Sequence, residues 1–287
     1  MKTVRTVADV RAELRPARRA ERVIGLVPTM GALHEGHLSL IRHARATCDV
    51  VVVSLFVNPA QFGEASDLAA YPRDEARDVT LAAEVGADLL FAPALAEVYP
   101  PGFATTVHVD GLTETLEGVH RGVAHFDGVT TVVTKLLNMV GPDVAFFGQK
   151  DAQQALVIGR LVRDLDLPVR IEVRPTVREP DGLALSSRNV HLRGADRERA
   201  LALRDALAAA EASLSAGERD AAVLRAAALA AMRGRGVEPD YLELVRPDDL
   251  SPVARVDGEV LVAVAASVGR TRLIDNTILN ANGQPGG

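Results

Sequence analysis

The stretch VIGLVPTMGALHEGHLSLIRHARATCDVVVVSLFVN, residues 23–58, decides the fold. Its first part, VIGLVP (23–28), reads as a buried strand, which runs into a loop of Pro, Gly and small residues. HLSLIRHARAT (37–47) then reads as a helix with Leu38, Ile41 and Ala44 along one side. DVVVVSLFVN (49–58) is almost continuously apolar, as expected of a strand covered on both faces. A strand, a crossover helix and a strand in that order make a parallel pair.

The alternation continues outward from this unit. PRDEARDVTLAAEVG (72–86) opens with Pro and acidic residues and closes with Gly, the expected asymmetry of a helix. ADLLFAP (87–93), TTVHVD (105–110), DVAFFG (143–148) and PVRIEVRP (168–175) read as strands. GVTTVVTKLLNMVG (128–141) and DAQQALVIGRLVRDL (151–165) read as helices. The fold class is therefore α/β, a Rossmann-like, mainly parallel sheet with helices on both faces, over residues 1–176. The character changes after REPDGLALSSRN (178–189). Residues 194–234, rich in Ala, Leu and Arg, read as a helical hairpin broken at SAGERD (215–220). YLELV (241–245), EVLVAVAASV (259–268) and TRLIDNTIL (271–279) read as strands. A smaller C-terminal α+β domain is expected over 177–287, ending in a disordered tail, NANGQPGG (280–287).

Composition narrows the function. With 287 residues, 48% of them hydrophobic, the chain can bury one sizeable core or two smaller ones. The net charge is −6 and no block of like charge stands out, which argues against nucleic acid as a partner. Arg15, Arg18, Arg19 and Arg22 read as the solvated face of an N-terminal helix. Cys48 is the single cysteine, so no internal disulfide can form and a reducing compartment fits. Its place at a helix-to-strand junction suits a small buried hydrophobe better than a nucleophile. MKTVRTVADVRAEL lacks the apolar core of a signal peptide and no run reaches membrane-spanning length, so a cytoplasmic protein without a membrane partner is expected. Only Lys2, Lys135 and Lys150 among 32 basic residues are lysine. Each internal lysine therefore calls for a reason.

In an open parallel sheet, ligands bind beyond the carboxyl ends of the strands. PTMGALHEGH (28–37) occupies that position, where the next helix offers unpaired N–H groups suited to phosphate. His34 and His37, three residues apart, can add side-chain donors aimed the same way; the plainer alternative is a Gly-rich turn with two surface histidines. GQKDAQQ (148–154) lies where another strand enters its helix. There Gly148 permits close backbone approach, Lys150 can meet a phosphate, and Asp151 can take a ribose hydroxyl or cap the helix. A lysine at a helix start opposes the helix dipole, so it needs an anion to be favourable there. In FVNPAQF (56–62), Asn58 and Gln61 are amides that both donate and accept, which suits a hydroxy acid better than a second phosphate. A plain turn would explain Asn58-Pro59 but not Gln61. Ser186, Ser187 and Arg188 supply two hydroxyls and a guanidinium in succession, a pattern that alone is also an ordinary turn or helix cap.

PTMGALHEGH resembles the HxGH signature of the nucleotidylyl-transferase superfamily, which includes the class I aminoacyl-tRNA synthetases. With FVNPAQF, YPRDEARD (71–78), FFGQKDAQQ (146–154) and REPDGLALSSRN in that order, most of the chain resembles the pantothenate synthetase (pantoate–β-alanine ligase) family. The resemblance implies ATP-dependent condensation of (R)-pantoate with β-alanine through a pantoyl adenylate, releasing AMP and pyrophosphate. It implies catalytic roles for His34, His37 and Lys150. It implies further ATP contacts from Met30, Gly31, Gly36, Gly148, Asp151, Val177 and Leu185, with Ser186, Ser187 and Arg188 as a counterpart of the synthetase KMSKS loop. Pantoate is implied to meet Thr29, Met30, Asn58, Gln61, Gln154, His125, Val132 and Val133, and β-alanine to meet Gln61. Asp78 is implied near Mg²⁺, although beside Asp74 and Glu75 it reads alone as a solvated helix face. A homodimer is also implied. Relatives generally carry R-P-x-H-F where this chain has RGVAHF (121–126), without the proline.

Other functions remain as alternatives. Another nucleotidylyltransferase of the superfamily would share the histidines but has no use for paired glutamines around a small hydroxy acid. A tRNA synthetase needs an anticodon-binding appendage and a basic surface. A nucleotide-sensing module with dead chemistry has no need of intact His34, His37 and Lys150.

Overall fold

A computed structural model describes residues 1–63 and 65–281. The chain divides into two compact units, Met1–Gly148 with Gln153–Arg174, and Gln149–Ala152 with the chain from Pro175 onward. The first unit holds strands β1 (Lys2–Val4), β2 (Ile24–Thr29), β3 (Val50–Leu55), β4 (Leu89–Phe91), β5 (Val144–Gly148) and β6 (Arg170–Arg174). They form one sheet in the order β1-β4-β3-β2-β5-β6, and every pairing is parallel.

Alternation along the central strands sorts their side chains onto two faces. Ile24, Leu26, Val52, Ala145 and Phe147 join one buried cluster with the helices Val7–Arg19 and Val123–Val140. Val27, Val51, Val53, Val144 and Phe146 join another with the helix Glu35–Thr47. Both faces are thus covered, which is why β3 is apolar throughout. Cys48 belongs to the second cluster; burial pushes its thiol up and leaves it an inert packing residue. The chain leaves β2 for β3 on one side and later returns to β5 on the other. The carboxyl ends of β2 and β5 therefore flank the reversal of strand order, the usual place for a ligand in such a sheet.

In the second unit β7 (Tyr241–Val245), β8 (Glu259–Val268) and β9 (Thr271–Asn280) form an antiparallel sheet in the order β7-β8-β9. The helices Ala202–Ser215 and Ala221–Gly234 share one buried cluster with it, and a short helix, Ala195–Ala200, precedes the hairpin. No helix of the described residues is long and apolar enough to cross a membrane. Of the tail expected to be disordered, residues 282–287 lie outside the described residues; Asn280 ends β9.

Three sequence expectations are corrected. TTVHVD (105–110) forms no strand, because side chains of the neighbouring helix take its backbone groups. The Val107 N–H donates to Thr131 Oγ1 (2.9 Å), and Thr130 Oγ1 donates to the Val107 carbonyl (2.5 Å). The alternating pattern had stood in for a pairing that two threonines supply. That helix also starts earlier than expected, at Val123, and ends as expected at Gly141, whose φ of 58° is the left-handed cap. Finally, the N-terminal arginines are not all a solvated face. Arg18 donates to the last carbonyls of the same helix, Val140 and Gly141, and Arg22 to the carbonyl of Asp49.

On the segment 105–110, His108 stands between Asp127 (Nδ1 to Oδ1, 2.7 Å) and Asp110 (Nε2 to Oδ1, 3.0 Å). The hydrogen bond to Asp127, with help from Asp110, raises its pKa above the ordinary histidine value. A raised folded-state pKa stabilises fully below the unfolded value, and that contribution is lost as pH rises through the folded one. His108→Gln should therefore cost most melting temperature near pH 5.5 and progressively less above about pH 7. The effect will be small, because the ring is 40% exposed and water screens it. A cost that grows with pH would contradict this assignment.

Candidate active site

The loop after β2 is held from three sides. Thr29 Oγ1 donates to the Ser54 carbonyl (2.8 Å) and accepts from the Gly31 N–H (3.2 Å). Gly31 and Ala32 both have positive φ, 83° and 51°, so the turn is tight and strained at Ala32. The next two N–H groups find a carboxylate. Ala32 N–H donates to Asp78 Oδ2 (2.9 Å) and Leu33 N–H to Asp78 Oδ1 (2.8 Å). Asp78 sits on the helix Glu75–Glu84 and is 1% exposed, so it is not part of a solvated face. A Cβ at Gly31 would stand 2.9 Å from its Oδ2.

This geometry gives Asp78 a loop-holding role, each oxygen accepting one backbone N–H. Among the described residues no three His, Cys, Asp or Glu side chains cluster as a metal site. Asp78→Asn turns one amide hydrogen pair toward a backbone N–H and should lower stability by about 1–3 kcal/mol. The Mg²⁺ concentration for half-maximal rate should stay as in the parent. A several-fold rise in that concentration with stability intact would instead support the metal role the resemblance implies.

The two histidines come next. His34 caps the helix Glu35–Thr47: its Nδ1 accepts from the Gly36 N–H (3.1 Å). His37 Nδ1 faces the His34 N–H at 3.4 Å, closing a reciprocal capping box built from imidazoles. Because each Nδ1 accepts, each neutral ring carries its proton on Nε2. The rings lie 4.1 Å apart. Both Nε2–H groups are thus committed as donors at a helix N-terminus, the arrangement an anion requires. A Cβ at Gly36 would come within 2.9 Å of His34 Cε1, so glycine is needed to seat the first ring.

A second cluster follows β3, where the turn Pro59–Gln61 is capped by Asn58. Asn58 is 1% exposed, and protein groups meet both ends of its amide. Its Oδ1 accepts from Ala60 N–H (3.3 Å) and Tyr99 Oη–H (2.8 Å); its Nδ2 donates to Gln61 Oε1 (3.1 Å) and the Gly128 carbonyl (3.0 Å). Asn58 therefore orients Gln61, a role that sequence reading did not separate from ligand binding. Burial pushes the Tyr99 phenol up to about 12, so it remains a donor at working pH. Gln61 Nε2 lies 2.9 Å from Met30 Sδ, which brings Met30 and Gln61 together. His125 Nδ1–H donates to the Gln61 carbonyl (2.6 Å). Where the expected proline is missing, Gly122 with φ 79° starts the helix that carries His125. Val132 and Val133 are buried in the first core cluster.

The GQKDAQQ segment separates two glutamines that look alike in sequence. Gln153 is buried and spent: its Oε1 accepts from Glu117 N–H (3.0 Å), and its Nε2 donates to the carbonyls of Leu112 (2.7 Å) and Thr115 (2.8 Å). Gln154, the one expected at pantoate, is only half-buried on the helix Ala152–Asp164. In the second unit, Lys150 lies in the 3₁₀ turn Gln149–Asp151, with Nζ 3.8 Å from Asp151 Oδ1 and a side chain 19% exposed. Leu185 N–H donates to the Val177 carbonyl (3.0 Å), pairing the two residues expected beside adenine and ribose. Ser186 Oγ accepts from Arg188 N–H (3.3 Å) and caps the 3₁₀ helix Ser187–His191, so this hydroxyl has a structural partner as well.

The sequence model of the family described as pantoate-β-alanine ligase matches residues 2–278. The chain belongs to that family. It is 54% identical to the pantothenate synthetase of Moorella thermoacetica, over 98% of this chain and all of that one. It is 51% identical to that of Pelotomaculum thermopropionicum, over 96% and 97% of the two chains. The crystal structure of pantothenate synthetase from Thermus thermophilus superposes with a TM-score of 0.91 at 47% identity, covering 98% of this chain and 99% of that one. A pantoate-β-alanine ligase from Francisella tularensis, solved with β-γ ATP and β-alanine, gives a TM-score of 0.80 at 32% identity over the whole of both chains. Asp78, Asn58 and Gln153 hold the backbone of these loops through the contacts above.

Proposed function

We propose that the chain is an AMP-forming ligase that joins (R)-pantoate to β-alanine with consumption of ATP. The observation that carries the chemistry is the pair of Nε2–H imidazoles fixed at one helix N-terminus. In the first step a pantoate carboxylate oxygen attacks the α-phosphorus, and the bond to the pyrophosphate oxygen breaks. Pantoyl adenylate forms and pyrophosphate leaves with the electron pair. The protein needs only to position the reactants and meet charge as it shifts onto the leaving group. His34, His37, Lys150, Ser186, Ser187 and Arg188 are the proposed donors, with Met30, Gly31, Gly36, Gly148, Asp151, Val177 and Leu185 along the nucleotide. Gln61, Gln154, Thr29, Met30, Asn58, His125, Val132 and Val133 are proposed at pantoate, and Gln61 at β-alanine. In the second step the neutral amine of β-alanine attacks the acyl carbon, AMP departs, and the amine proton is released.

Mg²⁺ enters with its nucleotide as MgATP, held by phosphate oxygens, in keeping with an ion that retains few protein ligands. A cytoplasmic homodimer completes the proposal. Light scattering should then give twice the 30.4 kDa chain mass.

Exchange of labelled pyrophosphate into ATP tests the reaction order. It should require pantoate and Mg²⁺ but not β-alanine, and AMP should accumulate once β-alanine is added. Exchange without pantoate, or ADP as product, would refute the proposal. Gln61→Ala and Gln154→Ala should each weaken pantoate binding by about 1–3 kcal/mol while ATP binding barely moves. Calorimetric titration with each substrate separates the two, and a greater loss for ATP would mean the pocket is misassigned.

A further inference from the structure

Asn276 lies on β9, 5% exposed and more than a hundred residues from the GQKDAQQ segment. Its Nδ2 donates to two successive backbone carbonyls, Gln149 O (2.9 Å) and Lys150 O (2.9 Å), while its Oδ1 accepts from Gln149 Nε2 (3.0 Å). Peptide groups are planar, so a held carbonyl restrains its whole plane. The plane carrying Gln149 O and the plane carrying Lys150 O meet at the Cα of Lys150. Holding both restricts φ and ψ there, and with them the direction in which the lysine stem leaves the backbone.

Asn276 is itself rigidly mounted. The neighbouring Asp275, 3% exposed, accepts the Asn276 N–H on Oδ1 (2.8 Å) and binds Arg178 through both oxygens (2.6 and 3.0 Å). Arg178 also donates to the Gly182 carbonyl (3.1 Å), at the base of the segment that leads to Ser186. The Lys150–Asp151 separation of 3.8 Å is too long to orient the ammonium in the same way.

We propose that Asn276 is a positioning residue for adenylation, acting through Lys150 by gripping the two peptide planes that flank it. This rests on the reading that Lys150 meets the ATP phosphates. The alternative is a buried asparagine that merely satisfies the turn, important for folding and indifferent to which side chain position 150 carries.

A double-mutant cycle on the full chain separates these, with single-turnover AMP formation at saturating pantoate and MgATP as the readout. Lys150→Ala should lose on the order of 10²–10³ in rate, as for removal of one donor to developing charge. Asn276→Ala should lose about 10- to 100-fold, within the range of coupling between neighbouring residues, with the KM for pantoate unchanged. In the Lys150→Ala background, Asn276→Ala should cost less than about threefold, because there is no ammonium left to aim. Should Asn276→Ala melt below the assay temperature, Asn276→Ser retains one donor and enters the same cycle, with a smaller loss that also vanishes without Lys150. Losses that multiply in the double variant, or a single Asn276 variant within about threefold of the parent, would overturn the proposal while leaving Lys150 at the phosphates. A silent Lys150→Ala would overturn both, and it is visible before Asn276 is touched.

Discussion

Lys150→Arg is expected to lose at least ~10² in the rate of adenylation while the chain folds as before. The substitution keeps the charge, and arginine is this chain's ordinary basic residue. If positive charge alone mattered at position 150, arginine would serve. The Lys150 side chain is 19% exposed and sits in a tight 3₁₀ turn, so a compact ammonium is presented from a restricted space. A planar guanidinium is broader, places its charge further out and cannot occupy the same point. Misplacing one donor to a charge that develops in the transition state removes about 3–4 kcal/mol of stabilisation. Single-turnover AMP formation measures the loss, and a melting curve controls for folding. A rate within about threefold of the parent would return Lys150 to the ordinary surface residues.

His34 offers an equally large effect with an internal control, because its two nitrogens have different work. Nδ1 caps the helix at Gly36, and Nε2–H is the donor proposed to meet phosphate. Asparagine can place an oxygen near the Nδ1 position but nothing at Nε2. His34→Asn should therefore keep the parental melting temperature and lose about 10²–10³ in adenylation rate. His34→Ala should lose the same rate and, in addition, about 0.5–2 kcal/mol of stability with the cap. The contrast matters more than either value alone. If His34→Asn stays active, the ring is a cap only and the paired-imidazole reading fails.

The central sheet was legible because β3 and β5 are apolar on both faces, a pattern that only a covered parallel strand requires. β1 was not: Lys2–Val4 buries only Val4 fully, and three residues leave too little pattern to recognise. TTVHVD misled because alternation records which side chains face a neighbour, not what supplies the backbone's hydrogen bonds. Within the candidate site, the sequence singled out the loops and the residue types expected to meet ligands. Residue type alone did not distinguish Gln153 from Gln154, which only the resemblance did, because one helical step separates a buried clamp from a half-buried amide. Nor could it show that Asp78, rather than Asp74 or Glu75, turns inward to two backbone N–H groups. Tyr99 and Asn276 were missed for a similar reason. Each acts on a segment distant in the chain, and nothing local to either marks it.

Gly128 has a consequence for what the enzyme can be asked to accept. A Cβ there would overlap the Ala60 carbonyl and approach Gln61 N to 2.8 Å, so the helix Val123–Val140 and the turn Pro59–Gln61 meet backbone to backbone. Asn58 fastens the same junction through the Gly128 carbonyl. The seat of Gln61 is therefore a wall with no give. With pantoate at Gln61 as proposed, an acid longer than the natural one could not make room by pushing the turn aside. Broadening the enzyme to bulkier hydroxy acids would have to begin by trimming side chains elsewhere around Gln61, because the backbone on this side already stands at its closest approach.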